Sequence, residues 1–431
     1  MHLDSASRMT IIHSMNETYS RPDVYLPRWI TESLRQASQD HPVVVLTGAR
    51  QVGKSTLLRQ AQPFASWRFQ TMDDYAILRQ AQEDPHGLWA GTEQVILDEV
   101  QKAPGLLSAV KQSVDERPSR RRFVLSGSAN LLLLKQVSES LAGRAVYLTL
   151  HPMALGELRQ AAPPDTLARA LAGDWPADGQ LGPELPEMLP LLLRGMMPAL
   201  LALPSSNAWA RWWDGYVAAY LERDLRQLSQ IEHLVDFRRL MELLALRSGQ
   251  LLNQSDLARD AQLSQPTAHR YLNMLEATYL FERLPAYTAS RTVRLVKAPK
   301  AFWNDPALAV FLSGYYTEGD LRPARELGAY FETLIFHHLR VLSELLVPAA
   351  RLYYWRLQSG QEVDFVVEHG RRLLGIEAKM SAQVGYGDTV ALRRFLNAYP
   401  QASGGLVLYQ GRAVRHLSDK IVAIPWTLIT G

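Results

Sequence analysis

The segment "GARQVGKST", Gly48–Thr56, follows the apolar run Val43–Thr47 and decides how the first part of the chain folds. It matches the pattern G-x-x-x-x-G-K-[ST], which requires a strand before it and a helix after it. Gly48 and Gly53 let the backbone wrap with its N–H groups towards a phosphate, and a helix beginning near Lys54 adds the positive end of its dipole. The segment therefore predicts a phosphate-binding loop between a buried strand and a helix.

The polar side chains in and near this loop predict nucleotide hydrolysis. Lys54 is expected to reach the β- and γ-phosphates of ATP, Ser55 to bind Mg²⁺ and Thr56 to lie closer to the α-phosphate. A second apolar run, "QVILDEVQ", ends in Asp98 and Glu99 at the carboxyl edge of the same predicted sheet. Asp98 would hold the metal, and Glu99 would orient and deprotonate the attacking water.

Two further groups are candidates for contact with the triphosphate. The run "FVLSGSANLLLL" places Ser126, Ser128 and Asn130 at the same edge of the sheet. One of the three would contact the γ-phosphate or the attacking water, and Ser128 is counted among the expected nucleotide contacts. In "ESLAGRAVYL", Arg144 has two interpretations. It stabilises charge in the transition state, in this subunit or a neighbouring one, or it forms a structural salt bridge.

Composition sets the broad class of the protein. The chain has 431 residues, of which 47% are hydrophobic, and a formal net charge of +3 that does not by itself indicate a polyanionic partner. It has no cysteine, which excludes disulfides and thiolate metal sites. The start of the chain lacks a secretory pattern, and the apolar stretch Met188–Pro204 holds Arg194 and several prolines. We therefore expect a cytoplasmic protein that does not enter a membrane.

Apolar strands alternate with helix-length segments in the first part of the chain, which predicts a parallel α/β sheet. We expect a leader and helix over 1–40, an ATPase unit over 41–200, a helical region over 201–310 and a second α/β unit over 311–431. The stretch Ala162–Glu187 is rich in Pro, Gly and Asp and is expected to be an irregular linker or insertion. The runs "RLYYWRL", "EVDFVVE", "LLGIEAK" and "GGLVLY" predict the strands of the last unit.

Several ordered motifs resemble one family. "GARQVGKSTLL", "LDEVQ", "LSGSANLLL", "SLAGRA", "YLERDLRQL", "KAPKAFWNDPALA" and "GIEAKMS" are similar, in this order, to segments of prokaryotic AAA-type ATPases that carry a C-terminal domain of unknown function. The resemblance covers nearly everything from Pro42 to Ser381. It implies an AAA-type P-loop ATPase core, a helical middle with a winged-helix-like unit, and a C-terminal domain similar to the restriction-endonuclease-like fold.

The stretch "NQSDLARDAQLSQPTAHRYLNML" in the middle region predicts two helices joined by a tight turn. Ser255 and Ser264 are the expected N-caps. Gln262 stands in the turn where the family pattern has glycine. The second helix either enters a DNA groove or packs as an adaptor, and its outward groups are Gln265, Thr267, His269 and Arg270. The basic run that follows either tracks phosphates or is a solvated strand edge; its cations are Arg291, Arg294, Lys297 and Lys300.

The last unit contains a carboxylate and lysine pattern that resembles the PD-(D/E)xK nucleases. Asp364 lies on one predicted strand, and Glu377 and Lys379 lie two residues apart on the next, so that they point to the same face. Glu332 on the preceding helix is a fourth candidate. Such a set holds Mg²⁺ for phosphodiester cleavage, or it survives as an ion pair in an inherited fold.

Three hypotheses follow for the whole chain. In the first, an ATP-hydrolysing enzyme moves or gates its C-terminal units. In the second, ATP switches the affinity of a binding module for DNA, RNA or a partner protein, and its nuclease-like domain is catalytically inactive. In the third, the C-terminal unit cuts nucleic acid under ATP control. A homo-oligomer would place Arg144 near a neighbouring ATP site.

Overall fold

A computed structural model of the protein describes residues 25–116, 121–127, 141–218, 234–290, 294 and 297–431. The first sheet has five parallel strands: β1 (Val43–Thr47), β2 (Arg68–Thr71), β3 (Gln94–Asp98), β4 (Arg122–Ser126) and β5 (Ala145–Thr149). Their order is β2-β3-β4-β1-β5. The helices around it are α1 (Ile30–Asp40), α2 (Lys54–Gln60), α3 (Tyr75–Glu83) and α4 (Leu106–Glu116).

The parallel α/β sheet predicted from the apolar runs is confirmed: Val43–Thr47 and the apolar parts of "QVILDEVQ", "FVLSGSANLLLL" and "ESLAGRAVYL" lie in β1, β3, β4 and β5. The edge strand β2 was missed, since "RFQT" is too short and polar to show as a buried run. Both faces of β1 are buried, which explains its uninterrupted apolar sequence. Strand β4 lies between β1 and β3, so that the carboxyl ends of these three strands meet at one edge of the sheet.

A helical region follows the sheet and is interrupted by a small two-stranded sheet. Its helices are α5 (Leu155–Leu158), α6 (Thr166–Ala172), α7 (Met188–Arg194), α8 (Ser206–Val217), α9 (Leu234–Ala245), α10 (Gln254–Asp260) and α11 (Gln265–Ala277). Strands β6 (Phe281–Leu284) and β7 (Lys300–Trp303) then pair antiparallel and form what we call the β6–β7 ribbon. Helices α12 (Pro306–Leu312) and α13 (Glu318–Leu321) complete the region.

The C-terminal unit is a mixed six-stranded sheet covered by helices. It contains α14 (Leu327–Glu344), β8 (Arg351–Arg356), β9 (Glu362–His369), β10 (Arg372–Lys379), α15 (Val390–Ala398), β11 (Gly404–Tyr409), β12 (Arg415–Ser418), β13 (Ile421–Pro425) and α16 (Thr427–Thr430). The strand order is β12-β13-β11-β10-β9-β8. Strands β8, β9 and β10 form an antiparallel meander, and β11 is parallel to both β10 and β13.

The Pro- and Gly-rich stretch between the first sheet and α7 is more ordered than a linker. It contains α6, and its later part lies along the edge of the C-terminal sheet: Gly179 N donates to Val414 O at 2.9 Å, and Gly182 N donates to Arg412 O at 2.9 Å. These backbone hydrogen bonds satisfy groups that a solvent-exposed linker would leave to water. The described residues contain no helix long and apolar enough to cross a membrane.

One apolar core connects the three parts of the chain. It joins residues on one face of β1, Val44 and Leu46, with Trp213 of α8 and with Phe365 and Ile376 of the C-terminal sheet. Movement in one part is therefore resisted by side chains of the others, because close-packed interiors leave little free volume.

The turn between α10 and α11 confirms one predicted helix cap and corrects the other. Ser264 caps α11, because its Oγ accepts a hydrogen bond from Thr267 N at 3.2 Å. Asn253, and not Ser255, caps α10: its Oδ1 accepts from Ser255 N at 3.0 Å and from Asp256 N at 3.3 Å. Gln262 takes the left-handed conformation of the turn, with φ of 56°.

This capping assignment predicts unequal effects of two nearby substitutions. Asn253→Ala should lower the free energy of unfolding by about 1 kcal/mol, because two N–H groups at the start of α10 lose their acceptor. Ser255→Ala should change it by less than about 0.5 kcal/mol, since that side chain is exposed and does not cap the helix. Urea unfolding of both variants measures the difference, and equal losses would contradict the assignment.

Candidate functional site

The loop after β1 has the shape of a phosphate cradle. Gly48 and Gly53 have φ of 139° and 96°, and a Cβ atom on Gly48 would lie 2.1 Å from Leu150 O. Gly53 is the N-cap of α2, so that the helix begins at Lys54. The two glycines are therefore required by backbone conformation and by the close approach of the strand end that carries Leu150.

Lys54 lies folded back over this loop. Its Nζ donates to Gly48 O at 3.0 Å and to Ala49 O at 2.9 Å, and the side chain is buried. Burial lowers the pKa of Lys54 to about 8, while Glu99 and Asp98 act in the opposite direction. Triphosphate oxygens would offer this ammonium group stronger acceptors than the two neutral carbonyls do.

Ser55 and Asp98 lie together at the sheet edge. Ser55 Oγ donates to Asp98 Oδ2 at 2.7 Å, and Asp98 is 3% exposed. The second carboxylate oxygen, Asp98 Oδ1, is buried and finds no hydrogen-bond partner within the described residues. A hydroxyl and a carboxylate are ligands that suit Mg²⁺, and a buried oxygen without a partner fits a bound cation. Thr56, the next residue of the loop, is exposed.

Glu99 has an unusual backbone conformation for a glutamate. Its φ of 53° is left-handed, and its carboxylate accepts a hydrogen bond from Gln101 Nε2. Non-glycine residues rarely adopt this conformation, and where they do, the strain often marks a functional position. The kink turns the chain directly after Asp98, so that both carboxylates lie close enough to Lys54 to affect its charge.

The structure describes two of the other residues predicted to contact the triphosphate, Arg144 and Ser126. Arg144 forms a bidentate ion pair with Asp115 of α4, through Nε at 2.5 Å and Nη2 at 3.1 Å, which matches the structural interpretation. Ser126 is fully buried at the end of β4, and its Oγ has no hydrogen-bond partner in the described part of the chain. Ser128 and Asn130 lie outside the described residues.

Two residues outside the predicted set also contact the phosphate loop or the strand before it. Arg28 is 6% exposed; it donates to Val52 O at 2.8 Å and to His151 O at 2.7 Å, and pairs with Glu157 at 3.1 Å. Tyr279 donates its hydroxyl to Thr47 Oγ1 at 3.0 Å, at the end of β1. No local sequence pattern identifies either contact, because each joins positions far apart in the chain.

Asp364 and Glu377 are brought together by the register of β9 and β10. Phe365 pairs with Ile376 in this antiparallel ladder, which sets Asp364 opposite Glu377. Asp364 Oδ2 accepts from Ala378 N at 2.9 Å, and Glu377 Oε2 accepts from Lys379 Nζ at 2.8 Å. Burial raises the pKa of Glu377 well above its usual value, and the facing Asp364 raises it further.

Glu332 and Glu362 extend this pair to a carboxylate cluster of four, which we define as Glu332, Glu362, Asp364 and Glu377. Lys300 Nζ contacts Glu332 Oε1 and lies 2.8 Å from Glu362 Oε1. The structure therefore brings the predicted residues of the C-terminal site into one region and adds Glu362 and Lys300 to them. The predicted residues are Glu332, Asp364, Glu377 and Lys379. Within the residues that the structure describes, no three Asp, Glu or His side chains are arranged to hold a metal ion.

The basic run before β7 is largely occupied by contacts within the chain. Lys300 is 1% exposed, while Arg294 stacks on Tyr287 and pairs with Glu368 at 3.2 Å. Neither side chain is placed to track phosphates, which corrects that interpretation for these two positions. Lys297 is exposed, and Arg291 lies outside the described residues.

The exposed face of α11 matches the outward groups predicted for it. Gln265, His269 and Arg270 are exposed and Thr267 is partly so. Residues 234–290 contain six arginines and six carboxylates. Five of these arginines form ion pairs with nearby carboxylates: Arg238, Arg239, Arg247, Arg259 and Arg283.

Comparisons with known protein families divide the chain into three segments. An AAA domain matches residues 40–159, which contain every described residue assigned above to the ATP site except Arg28 and Tyr279. A domain of unknown function, DUF8612, matches residues 187–318. A second domain of unknown function, DUF4143, matches residues 327–429.

Two mycobacterial proteins resemble nearly the whole chain. "Uncharacterized protein Rv2008c" of Mycobacterium tuberculosis and "Uncharacterized protein Mb2031c" of Mycobacterium bovis are each 32% identical over 399 residues, which cover 91% of this chain and 82% of theirs. Among solved structures, a signal transduction ATPase with a tetratricopeptide repeat sensor from Pyrococcus horikoshii matches 76% of this chain and 48% of its own. Its TM-score of 0.21 and identity of 11% carry no argument about the overall fold.

The sheet, the phosphate loop and the AAA match all concern the same part of the chain, and the mycobacterial similarity extends beyond it. The chain belongs to the family of these mycobacterial proteins, and its first unit is an AAA-type P-loop ATPase domain.

Proposed function

We propose that the protein hydrolyses ATP with Mg²⁺ and uses the nucleotide cycle to move its helical region and C-terminal unit relative to the first sheet. The observation that carries the chemical part is the buried pair Ser55–Asp98, with one carboxylate oxygen left for a cation beside Lys54. A hydroxyl, a carboxylate and a lysine at the start of a helix are the groups that phosphoryl transfer requires.

Each residue of the ATP site has a separate role in this proposal. The backbone between Gly48 and Gly53 binds the phosphates, and Lys54 exchanges its two carbonyl acceptors for β- and γ-phosphate oxygens. Ser55 and Asp98 would hold Mg²⁺, which neutralises charge on the triphosphate when bound. Glu99 releases its hydrogen bond with Gln101, orients a lone pair of the attacking water towards the γ-phosphate and accepts the proton of that water.

The contact between Tyr279 and Thr47 supports a link from the ATP site to the helical region. Thr47 is the last residue of β1 and directly precedes Gly48, so that a shift of the loop on nucleotide binding acts on it first. Tyr279 stands between α11 and the β6–β7 ribbon with φ of 56°, and its carbonyl accepts from Asn304 Nδ2 at 2.9 Å. The hydroxyl of Tyr279 would therefore transmit a loop movement to both strands of the ribbon, at the end where Phe281 pairs with Trp303.

The order of helices α9, α10 and α11 and the β6–β7 ribbon supports the proposed similarity to a winged helix. The charges of this region favour an adaptor role over DNA binding. Non-specific DNA binding depends on cations that replace condensed counterions on the phosphates. The balance of arginines and carboxylates in this region, and their mutual ion pairs, leave little such excess. We therefore assign the region to mechanical coupling; nucleic acid near the protein would be contacted elsewhere.

The order of elements in the C-terminal unit supports its proposed similarity to the restriction-endonuclease-like fold. A helix, three antiparallel strands, a second helix and a parallel strand follow one another from α14 to β11, with Asp364, Glu377 and Lys379 on the second and third strands. Asp364 accepts from a backbone N–H, and Glu377 pairs with Lys379, although Glu377 Oε1 has no hydrogen-bond partner within the described residues. The positive charge of Lys300 already lies among the neighbouring carboxylates, which favours a binding or coupling module over one that cleaves. The ATP-switched module with an inactive nuclease-like domain is thus the form of the proposal that the contacts support.

Loss of the water-activating carboxylate should stop turnover but not binding. Glu99→Gln is expected to lower the rate of phosphate release by about 10²- to 10⁴-fold, because no base remains to accept the proton of water. Lys54→Ala should lower both turnover and ATP affinity. Phosphate release and equilibrium binding of ATP to purified variants measure these effects, with Glu83→Gln on the exposed face of α3 as the control. Unchanged turnover in Glu99→Gln would contradict the assigned role.

Removal of a single hydroxyl should uncouple the ATP site from the ribbon. In the wild type, ATP should change the hydrogen-exchange rates of backbone amides in β6 and β7; in Tyr279→Phe that change should be lost. ATP affinity should differ by less than about tenfold, since one hydrogen bond contributes about 1 kcal/mol. Tyr75→Phe, at an exposed tyrosine of α3, is the control. An ATP response of equal size in Tyr279→Phe would show that coupling does not pass through this contact.

A further inference from the structure

Lys300 is a buried ammonium group among carboxylates. The residue is 1% exposed, and its Nζ contacts Glu332 Oε1 and Glu362 Oε1. Burial by itself lowers the pKa of Lys300, but Glu332, Asp364 and Glu362 together raise it above its ordinary value. The side chain is therefore held in the charged form at neutral pH, with its charge directed into the carboxylate cluster.

The cluster and its lysine come from different parts of the chain. Lys300 is the first residue of β7 and pairs with Leu284 of β6, so that it belongs to the β6–β7 ribbon. Glu332 lies on α14 and Glu362 on β9, both in the C-terminal unit. The buried ion pairs therefore connect the ribbon to the C-terminal unit, and separation of the two would leave several carboxylates without their counter-charge.

The surroundings of Glu332 leave little space for a hydrated ion. Gly249 has φ of 74°, and a Cβ atom there would lie 3.3 Å from Glu332 Oε2. The turn that contains Gly249 is fixed to β7, because Gly249 N donates to Ala301 O at 2.7 Å. Thus one oxygen of Glu332 faces Lys300, and the other lies beside Gly249 in the turn that is fixed to β7.

Lys300 supplies a positive charge at the point where the carboxylates of the cluster approach one another. A hard divalent ion binds several carboxylate oxygens at once, and Lys300 Nζ contacts oxygens of two carboxylates and acts on a third. An ammonium group supplies one positive charge and three donors without any requirement for water ligands. It therefore offsets part of the negative charge of the cluster without exchanging with solvent, as a metal ion would.

We propose that Lys300 is the resident cation of the C-terminal carboxylate cluster: it excludes a divalent ion from the place between Glu332 and the strand carboxylates and locks the β6–β7 ribbon onto the C-terminal unit. This inference concerns the cluster alone and holds whether or not the first unit hydrolyses ATP. It identifies the cluster as an internal latch between the β6–β7 ribbon and the C-terminal unit.

The test compares Lys300→Met with Lys297→Met, an exposed lysine three residues earlier that serves as the matched control. Mn²⁺ is titrated into each purified full-length protein without nucleotide and followed by electron paramagnetic resonance and by the thermal unfolding midpoint. Lys300→Met should have a lower midpoint, and Mn²⁺ should restore it. Its affinity for Mn²⁺ should exceed that of the wild type at least about tenfold, because a repelling unit charge has been removed.

Two further variants, Lys300→Met/Glu332→Gln and Asp364→Asn, keep the test decisive if Lys300→Met folds poorly. In Lys300→Met/Glu332→Gln one positive and one negative charge are removed together, so that folding should recover while the added Mn²⁺ affinity disappears. Any Mn²⁺ that the wild-type protein binds without nucleotide should also bind to the Asp364→Asn variant, because the cluster takes no part in that binding. The inference is overturned by nucleotide-independent Mn²⁺ binding in the wild type that Asp364→Asn abolishes, or by a folded Lys300→Met protein with the Mn²⁺ affinity of Lys297→Met.

Discussion

The parallel direction of β1, β3 and β4 is the constraint on which the ATP site depends. Because these strands are adjacent and parallel, the loop after β1, the carboxylate Asp98 and the buried hydroxyl of Ser126 emerge at one edge of the sheet. Glu99 then turns out of the strand through a strained backbone conformation. Helix α2, which begins at Lys54, adds the lysine and Ser55 directly after the loop, so that a stretch of nine residues, Gly48–Thr56, identifies the site.

Packing against the first sheet explains how a local nucleotide site can affect distant parts of the chain. Helix α14 of the C-terminal unit lies against the segment that connects β5 to α5. His337 Nε2 lies 3.0 Å from Met153 O, and His338 Nε2 accepts from Leu155 N at 3.0 Å. Burial lowers the pKa of His338 to about 4, so that the imidazole is neutral and able to accept. The interface is therefore fixed by directional hydrogen bonds as well as by apolar contact, and it does not depend on charge at neutral pH.

The sequence predicts local features of this protein well and long-range pairs poorly. Strand β1, the loop after it and the strands that carry Asp364 and Glu377 follow from apolar runs and glycine positions, since those signals lie within ten residues. The cap at Asn253 was misassigned to Ser255 because both residue types cap helices and only the backbone conformation separates them. The contacts Arg28–Val52, Tyr279–Thr47 and Lys300–Glu332 depend on how the units pack, and a single sequence has no pattern that pairs such positions.

The central claim is that a working ATP site is joined to a C-terminal unit whose carboxylate cluster holds a lysine of the chain in the place of a metal ion. The most direct measurement incubates the purified full-length protein with ATP, Mg²⁺ or Mn²⁺ and a range of single- and double-stranded DNA and RNA, and scores phosphate release and strand scission in the same samples. The account predicts release of phosphate, which Glu99→Gln abolishes, with every nucleic acid left intact. Scission that requires the metal and disappears in Asp364→Ala would contradict it.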